Sequence, residues 1–447
     1  MAPERDELER RRRKRAALQK KQRVQQRRLQ SRLIFAGVIM LLVVFLIALV
    51  ARDAAPPEDP ETGDSEQLIQ TEPPTERATR PPETPTTTIH IKAAGDLNIT
   101  DKVVAAGATN YGDDYFDFTH VFMDVLPVLS DADLTMLNFE GNMIGPPYGT
   151  QSASAPQQLL EALNAAGVDI VQMANSYSIH NGILGLNQTL NNIRAAGIEP
   201  VGAFSTPQEF QKSKGYTICD VRGVKVAVVA FTKGMGSLGL PEGNEQCVNK
   251  LYVDYDTEYK KIDTDGIRSI LRSLRSEKPD VTIAMLHWGA EYNDTVFSAQ
   301  ENIAELMFKE GVDIILGTHS HMLHRIDFDE ANNTLVAYSL GDFLGDGSKG
   351  GTNYSVILDV QITKDNDLGT IRIDNFTVTP IYTLSETEGG QRRVVRINEA
   401  LDAYEVNFVD KVTKEAYESM VYSLERIEAR LDPEAWEAKQ KAAEEAQ

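Results

Sequence analysis

Residues of the types that commonly bind metal ions recur directly after five strands predicted from the sequence. They are Asp96; Asn138, Glu140 and Asn142; Asn175 and His180; His287 and Glu291; and His319 and His321. Carboxylate oxygens and imidazole nitrogens are common ligands of hard and borderline divalent cations. His319 and His321 are two residues apart, so in extended backbone their side chains point the same way. The pattern predicts a metal site, and a metal ion at such a site can activate water for hydrolysis.

The elements that position these residues follow an α/β pattern. Apolar, β-branched runs alternate with helical patterns, which is typical of a sheet of mainly parallel strands. We predict strands at Ile89–Ala94, Leu134–Asn138, Asp169–Met173, Lys225–Phe231, Val281–Leu286, Asp313–Leu316 and Thr334–Ser339, and an antiparallel pair at Tyr354–Ile362 and Gly369–Pro380. We predict helices at Gln157–Ala166, Leu186–Ala196, Ile267–Ser276 and Ser298–Glu310. Because ligands of open α/β sheets bind where the strands end, the polar residues are expected to converge in one pocket.

The N-terminal part of the chain predicts a membrane anchor. Residues 1–32 hold 13 Lys or Arg and four acids, although the whole chain has a net charge of −21. Residues 33–51 are 19 uncharged residues, which as a helix would span roughly 28 Å, close to the thickness of a bilayer core. The length favours an uncleaved anchor over a cleaved signal peptide. The positive-inside rule then predicts a single-pass cell-membrane protein with residues 1–32 in the cytoplasm and the main domain outside.

The rest of the chain divides into three predicted parts. Residues 52–88 are rich in Pro, Thr and acids and predict a disordered linker. Residues 89–383 are the predicted folded domain. Residues 384–447 are a predicted helical, acidic tail, in which Met420, Val421, Leu424, Ile427 and Leu431 follow the helical period. The acidic body argues against nucleic acid as a partner.

The two cysteines of the chain, Cys219 and Cys247, both lie in the predicted outside portion. That compartment permits a disulfide. Two unpaired buried thiols fit the sequence equally well, so both alternatives stay open.

The residues after the strands also carry a resemblance to a known family. The ordered motifs are Gly95-Asp96, Asn138-x-Glu140, Ala174-Asn175, His287-x-Gly289-x-Glu291, Gly317-x-His319-x-His321 and Tyr338-Ser339-Leu340-Gly341-Asp342-Phe343. Over about residues 89–383 the chain resembles the CapA family, the poly-γ-glutamate capsule synthesis proteins with the fold of calcineurin-like metallophosphatases. The resemblance implies an α/β/β/α sandwich and a divalent metal ion, which would be Mn, Fe, Zn or Mg. It also implies as partners the membrane bilayer, an anionic polymer such as poly-γ-glutamate, and other capsule-synthesis membrane proteins.

From the motifs we predict which residues carry the chemistry. The predicted metal ligands are Asp96, Glu140, Asn175, His287, His319 and His321, and the predicted catalytic residues are His180 and Glu291. The chain departs from the family pattern at three positions, since Tyr177 stands for a histidine, His180 for an aspartate and Asp342 for an asparagine. Tyrosine, with an ordinary pKa of about 10, is a weak acid at neutral pH. His180 either takes over protonation of the leaving group or reflects drift in a domain that no longer catalyses a reaction.

Three functions are compatible with the sequence. The leading hypothesis is a membrane-anchored, extracytoplasmic protein that takes part in the synthesis, export or anchoring of a capsule polymer. The second is a metal-dependent hydrolase of phosphoester or polymer amide bonds. The third is a catalytically degenerate scaffold in a membrane complex.

Overall fold

The computed structural model describes residues 85–110, 115–406, 412–434 and 436, which belong to one compact unit. The predicted cytoplasmic arm, the predicted membrane span at residues 33–51 and nearly all of the predicted linker lie outside this part of the chain. Within the described ranges, no helix combines the length and the apolar character needed to cross a membrane.

Strands and helices alternate along most of the described chain. The strands are β1 (Thr86–Asn98), β2 (Leu134–Glu140), β3 (Ile170–Gln172), β4 (Glu199–Val201), β5 (Tyr216–Val221), β6 (Val224–Thr232), β7 (Val281–His287), β8 (Ile314–Thr318), β9 (Ile326–Asp329), β10 (Thr334–Ala337), β11 (Asp342–Leu344), β12 (Tyr354–Asp365), β13 (Ile371–Leu384) and β14 (Arg393–Arg396). The helices are α1 (Asp101–Ala106), α2 (Thr119–Phe122), α3 (Leu126–Leu129), α4 (Gln157–Ala165), α5 (Gly182–Ala195), α6 (Pro207–Ser213), α7 (Thr264–Ser276), α8 (Ser298–Lys309), α9 (Glu386–Gly389), α10 (Ile397–Glu405) and α11 (Lys414–Leu431).

The strands form two sheets. The first has the order β14-β13-β12-β1-β2-β3-β4, and β11 also pairs with β1. Its strands β1 to β4 are parallel, whereas β12, β13 and β14 add an antiparallel extension. The second sheet has the order β5-β6-β7-β8-β10-β9, with β6, β7, β8 and β10 parallel. The loops that follow β1 and β2 therefore leave one sheet at the same end, and the loops that follow β7 and β8 leave the other sheet at the same end, as the strand pattern predicts.

The second sheet is covered on both faces. All residues of β7 and β8 are buried, which explains their unbroken apolar sequences. In β6, Val226 and Val228 belong to the core that the two sheets share, whereas Ala227 and Val229 pack into a second core with residues of α7 and α8. Helices α4, α5 and α11 contribute to the shared core. The predicted mixed α/β sandwich with helices at its C-terminal end is confirmed.

The structure adds strands that the sequence does not predict. They are β4, β5, β9, β11 and β14, of three to six residues each. Runs this short show too little periodicity to be recognised. Because β14 pairs with β13, the first sheet extends past residue 383, where we predict the domain to end; the predicted domain limits themselves stay predictions. Cys219 and Cys247 are both free thiols.

Candidate metal centre

The first carboxylate of the site is fixed by a close contact between two loops. Asp96 lies near the end of β1, and its backbone N–H donates to Gly341 O at 2.8 Å. A Cβ atom on Gly95 would lie 1.8 Å from that same carbonyl oxygen, so only glycine allows this approach. The contact brings β11 beside β1, with Asp342 opposite Asp96 in the register. Both carboxylates are buried.

Two asparagine amides hold the acidic side chains in place. Asn138 Nδ2 donates to Asp96 Oδ1 at 2.6 Å and to Glu140 Oε1 at 3.2 Å. Asn175 Nδ2 donates to Asn138 Oδ1 at 3.0 Å, and Asn175 Oδ1 accepts from the backbone N–H of Tyr177 at 3.0 Å. Both ends of the Asn175 amide thus have protein partners, and the side chain orients Asn138. The role of Asn175 as a metal ligand stays a prediction.

Six buried side chains form two adjoining groups of possible ligands. One group is Glu140, His287 and His319, and the other is Asp96, His321 and Asp342; within each, the ligand atoms lie within 4.8 Å of one another. His321 connects the groups, because its Nδ1 is 3.6 Å from Asp96 Oδ2 and its Nε2 is 3.8 Å from Glu140 Oε2. The structure therefore brings together five of the six predicted ligands in a carboxylate–imidazole cluster, with Asn175 bound to its edge.

Asp342 is a member of this cluster that the sequence analysis does not include among the ligands. Its Oδ1 lies 2.9 Å from His321 Nδ1, and it also accepts from Asn98 Nδ2 at 2.9 Å. A signal was present in the sequence, since Gly341-Asp342 repeats the Gly95-Asp96 motif. The strand that begins at Asp342, β11, has only three residues and is too short to be recognised without the fold.

The two histidines after β8 adopt strained backbone conformations. The φ angles of His319 and His321 are +91° and +61°, in a region that only a few per cent of residues other than glycine occupy. His319 N–H donates to Asp96 Oδ2 at 3.0 Å, which holds this loop against β1. Backbone strain of this kind concentrates at functional sites, where the surrounding structure maintains it.

The donor atoms of the cluster fit a divalent cation. His319 is only 4% exposed, and its Nδ1 has no hydrogen-bond partner among the described residues. Thr232 Oγ1 donates to Gly234 O at 2.9 Å and so accepts from His287 Nδ1–H at 3.0 Å. The lone pair of His287 Nε2 then faces Glu140 Oε1 at 2.7 Å. Two acceptors at this distance repel unless a proton or a cation lies between them, and a metal ion satisfies both.

The charge balance of the cluster also favours a bound cation. Burial raises the pKa of Asp96, Glu140 and Asp342 to about 7 each, and repulsion between the carboxylates adds to the increase. Burial lowers the pKa of His321, but Asp342, Glu140 and Asp96 outweigh it and hold that pKa well above its ordinary value. The pKa values of His287 and His319 are lowered by burial, so both imidazoles are neutral and can act as ligands. When ionised, the three carboxylates outnumber the one imidazolium, so near neutral pH the cluster takes up either protons or a cation.

Neither of the two predicted catalytic residues, Glu291 and His180, belongs to the two ligand groups. Glu291 is exposed, yet it raises the pKa of the buried Glu140. His180 is exposed on the surface, where its Nε2 lies 3.2 Å from Gln151 O. Tyr177 is the residue near the carboxylates, since burial, Glu140 and Glu291 raise its pKa to about 12. The ring of His180 lies 5.7 Å from that of Tyr177, and the catalytic roles assigned to His180 and Glu291 stay predictions.

Phosphatases are among the solved structures that match the chain in a structural comparison. A novel phosphatase from Mycoplasma pneumoniae has 13% identity and a TM-score of 0.40, covering 66% of this chain and 94% of that chain. The calcineurin-like phosphoesterase YfkN from Bacillus subtilis has 16% identity and a TM-score of 0.39, covering 66% of this chain and 91% of that chain. TM-scores below 0.5 do not identify a fold by themselves, so the two-sheet sandwich rests on the strand pairing.

Sequence comparison relates the chain to capsule proteins. It is 28% identical over 331 residues to "Capsule biosynthesis protein CapA" of Bacillus anthracis, covering 72% of this chain and 73% of that protein. It is 26% identical over 270 residues to "PGA biosynthesis protein CapA" of Bacillus subtilis, covering 58% of this chain and 64% of that protein. The family model described as "Bacterial capsule synthesis protein PGA_cap" matches residues 90–347, which include the whole carboxylate–imidazole cluster. The chain belongs to this family of bacterial capsule synthesis proteins.

Proposed function

We propose that the protein takes part in the synthesis, export or anchoring of an extracellular anionic polymer of the poly-γ-glutamate class, through a divalent-metal site. The names of its two Bacillus relatives support the polymer class. One observation carries the metal site: two adjoining groups of buried carboxylates and imidazoles share a cluster in which His319 Nδ1 has no partner among the described residues. Buried polar atoms without partners are rare, and a bound ion is one of the explanations for them.

The residues around the cluster have separate tasks in this proposal. Metal ions at the two ligand groups would supply Lewis acidity and a hydroxide nucleophile near neutral pH. Asn138 fixes the Asp96 and Glu140 carboxylates relative to each other. Thr232 selects the tautomer of His287 that leaves Nε2 free to bind. Because the pKa of Tyr177 is raised to about 12, its phenol keeps its proton and can donate a hydrogen bond to an anionic group of the substrate.

A second candidate function is hydrolysis of phosphoester or polymer amide bonds. The ligand set of the cluster favours it, since the carboxylates and neutral imidazoles form two ligand groups side by side, as two-metal hydrolases require. A catalytically degenerate scaffold would have no need to retain three buried carboxylates. Loss of the expected histidine at Tyr177 argues for a slow reaction or a leaving group that needs no strong acid.

The proposal includes the location predicted from residues 1–88: a single membrane span with the domain outside the cell. The basic arm before an uncharged run of 19 residues supports it. Protease added to intact protoplasts is expected to digest the domain from Ile89 onward and to leave a protected N-terminal fragment. A domain that is cut only after the protoplasts are lysed would contradict the location without bearing on the metal site.

The polymer role is tested by complementation. The gene is deleted in its native host, and wild type or the double variant His319→Asn and His321→Asn is returned at matched expression. We expect wild type to restore cell-associated polymer and the double variant to fail. A double variant that restores the full polymer level would contradict a role for the metal site. Polymer that is unaffected by the deletion would contradict the proposed function itself.

A further inference from the structure

Lys233 lies next to the carboxylate–imidazole cluster although no predicted motif contains it. It directly follows β6, and its backbone N–H donates to His287 O at 2.7 Å. Its Nζ donates to Gly289 O at 2.8 Å and lies 4.8 Å from the centre of the Tyr259 ring. Its charge contributes to lowering the pKa of both His287 and His319. The ammonium group is therefore held within electrostatic range of the possible ligands.

The Lys233 ammonium forms no ion pair within the described part of the chain, although the exposed Glu291 is near enough to raise its pKa. Among the described residues, no acidic oxygen lies within 4.0 Å of its Nζ, whereas the buried Lys92 pairs with Asp359 at 3.4 Å. Lys233 is half-buried, and burial lowers its pKa, which is the sign of a charge held at a cost. One carbonyl and one aromatic face do not use all three N–H groups of an ammonium.

The exposed Glu291 offsets only part of the cost of burying the Lys233 ammonium, so a bound anion would stabilise it further. Metal ions at His287 and His319 would repel the ammonium, and neither charge would be screened well at a half-buried position. An oxyanion between Lys233 and the metal ligands would attract both. The bound anion would then offset both the cost of burying the Lys233 ammonium and its repulsion from the metal ions.

We propose that Lys233 binds an oxyanion group of the substrate, a carboxylate or a phosphate, against the metal site. The inference rests on the proposed function and identifies its substrate class as anionic at the reacting end. Lys349 provides a way to distinguish a carboxylate of the polymer from a phosphate group as the ligand of Lys233. Its Nζ lies 5.5 Å from the centre of the Tyr292 ring, which in turn is 5.2 Å from the His321 ring. A long polymer with many carboxylates can reach both lysines, whereas a single phosphate bound at Lys233 does not need Lys349.

The test measures anion binding to the purified full-length protein by calorimetry. The probes are inorganic phosphate and a short γ-linked glutamate oligomer, each titrated into manganese-loaded and metal-free protein. We expect Lys233→Met to weaken binding of at least one probe tenfold or more with unchanged metal content, and Lys233→Arg to stay within about threefold of wild type. Lys309, an exposed lysine paired with Glu305 at 2.6 Å, provides the matched control, and Lys309→Met is expected to bind both probes normally.

The outcomes distinguish a polymer carboxylate from a phosphate as the bound anion. They also distinguish failure of the Lys233 inference from failure of the proposed metal site. If Lys349→Met also weakens binding of the glutamate oligomer, the polymer carboxylates are the ligand; if only phosphate binding depends on Lys233, a phosphate group is. Wild-type binding of both probes by Lys233→Met, or loss of its metal, would overturn the inference. If Lys233→Met does not fold, Lys233→Gln replaces it, because the amide can still donate to Gly289 O. If wild type binds no metal, the proposed metal site fails, whereas Lys233 is still tested by anion binding to the metal-free protein.

Discussion

Acidic residues have different surroundings at the two ends of the parallel strands, called here the amino edge and the carboxyl edge. At the amino edge, four aspartates each directly precede a strand, and each carboxylate accepts a backbone N–H from the neighbouring strand. The pairs are Asp133 with His90 N at 2.9 Å, Asp169 with Thr135 N at 2.8 Å, Asp280 with Lys225 N at 2.7 Å and Asp313 with Thr282 N at 2.8 Å. At the carboxyl edge, Asp96, Glu140 and Asp342 face one another and the imidazoles.

The comparison shows how to distinguish a structural carboxylate from a functional one. At the amino edge each carboxylate accepts a backbone N–H from the neighbouring strand, so it stabilises the register of the two strands. At the carboxyl edge the carboxylates raise one another's pKa and leave His319 Nδ1 without a partner among the described residues. Such an arrangement costs stability, which is expected where a site is built to bind a cation.

The largest difference between the edges is expected in metal binding. Replacing His319 and His321 with Asn, which tolerates the positive φ of both positions, removes two imidazole ligands. We expect metal affinity to fall at least a hundredfold, which corresponds to about 2.7 kcal/mol, while the domain stays folded. Elemental analysis and metal-induced thermal stabilisation measure the effect. Wild-type metal content in the double variant would place the metal elsewhere.

At the amino edge, Asp280→Ala is expected to lower the free energy of unfolding by about 2 kcal/mol. The change leaves the Lys225 N–H without its acceptor and removes the carboxylate that pairs with Lys364 at 2.6 Å. Asp280 lies at the amino edge and the metal site at the carboxyl edge, so their effects on stability should be independent. The loss of free energy of unfolding should therefore be the same with metal and with chelator. Denaturant unfolding under both conditions measures it. A loss that appears only with metal bound would contradict the division between the edges.

A smaller effect is expected from the titration of Asp313. Burial raises its pKa from 3.8 to about 6, so the folded state holds the proton more tightly than the unfolded state. This contribution to stability is fully present below pH 3.8 and is lost as the pH rises through about 6. Asp313→Asn keeps an acceptor for Thr282 N–H and removes the titration. Relative to wild type, the variant should gain about 1 kcal/mol between pH 5 and pH 7. A difference that does not change over this range would contradict the assignment.

The smallest effect is expected at His180. Its exposed ring lies 3.2 Å from Gln151 O and is outside the two ligand groups, so His180→Ala should change metal content little and stability by less than about 0.5 kcal/mol. Tyr177→Phe is the informative companion, because it removes only the phenol oxygen near the carboxylates. If any hydrolysis is found, we expect Tyr177→Phe to reduce turnover and His180→Ala not to. The reverse result would restore His180 as the catalytic residue.

Much of the fold follows from local sequence. The long apolar runs of β1, β2, β6, β7, β8, β12 and β13, the helices α4, α5, α7 and α8, and the family resemblance are all recognisable without coordinates. The limits of these elements differ from the predictions by a few residues, and the five short strands are missed. Short strands form because a neighbouring strand offers backbone partners, as β13 does for β14, and a single sequence carries no record of that neighbour.

The same distinction applies to the site. The sequence alone was sufficient to find Asp96, Glu140, His287, His319 and His321, because residues after parallel strands reach the same edge whatever the details of the loops. The places of Asp342 and Lys233 at the cluster, and of Tyr177 near the carboxylates, depend on the tertiary structure. Asp342 joins the cluster through the contact of Gly341 with β1, and Lys233 through the pairing of β6 with β7. Proximity of this kind is set by strand order and loop backbone angles, which no spacing along the chain encodes.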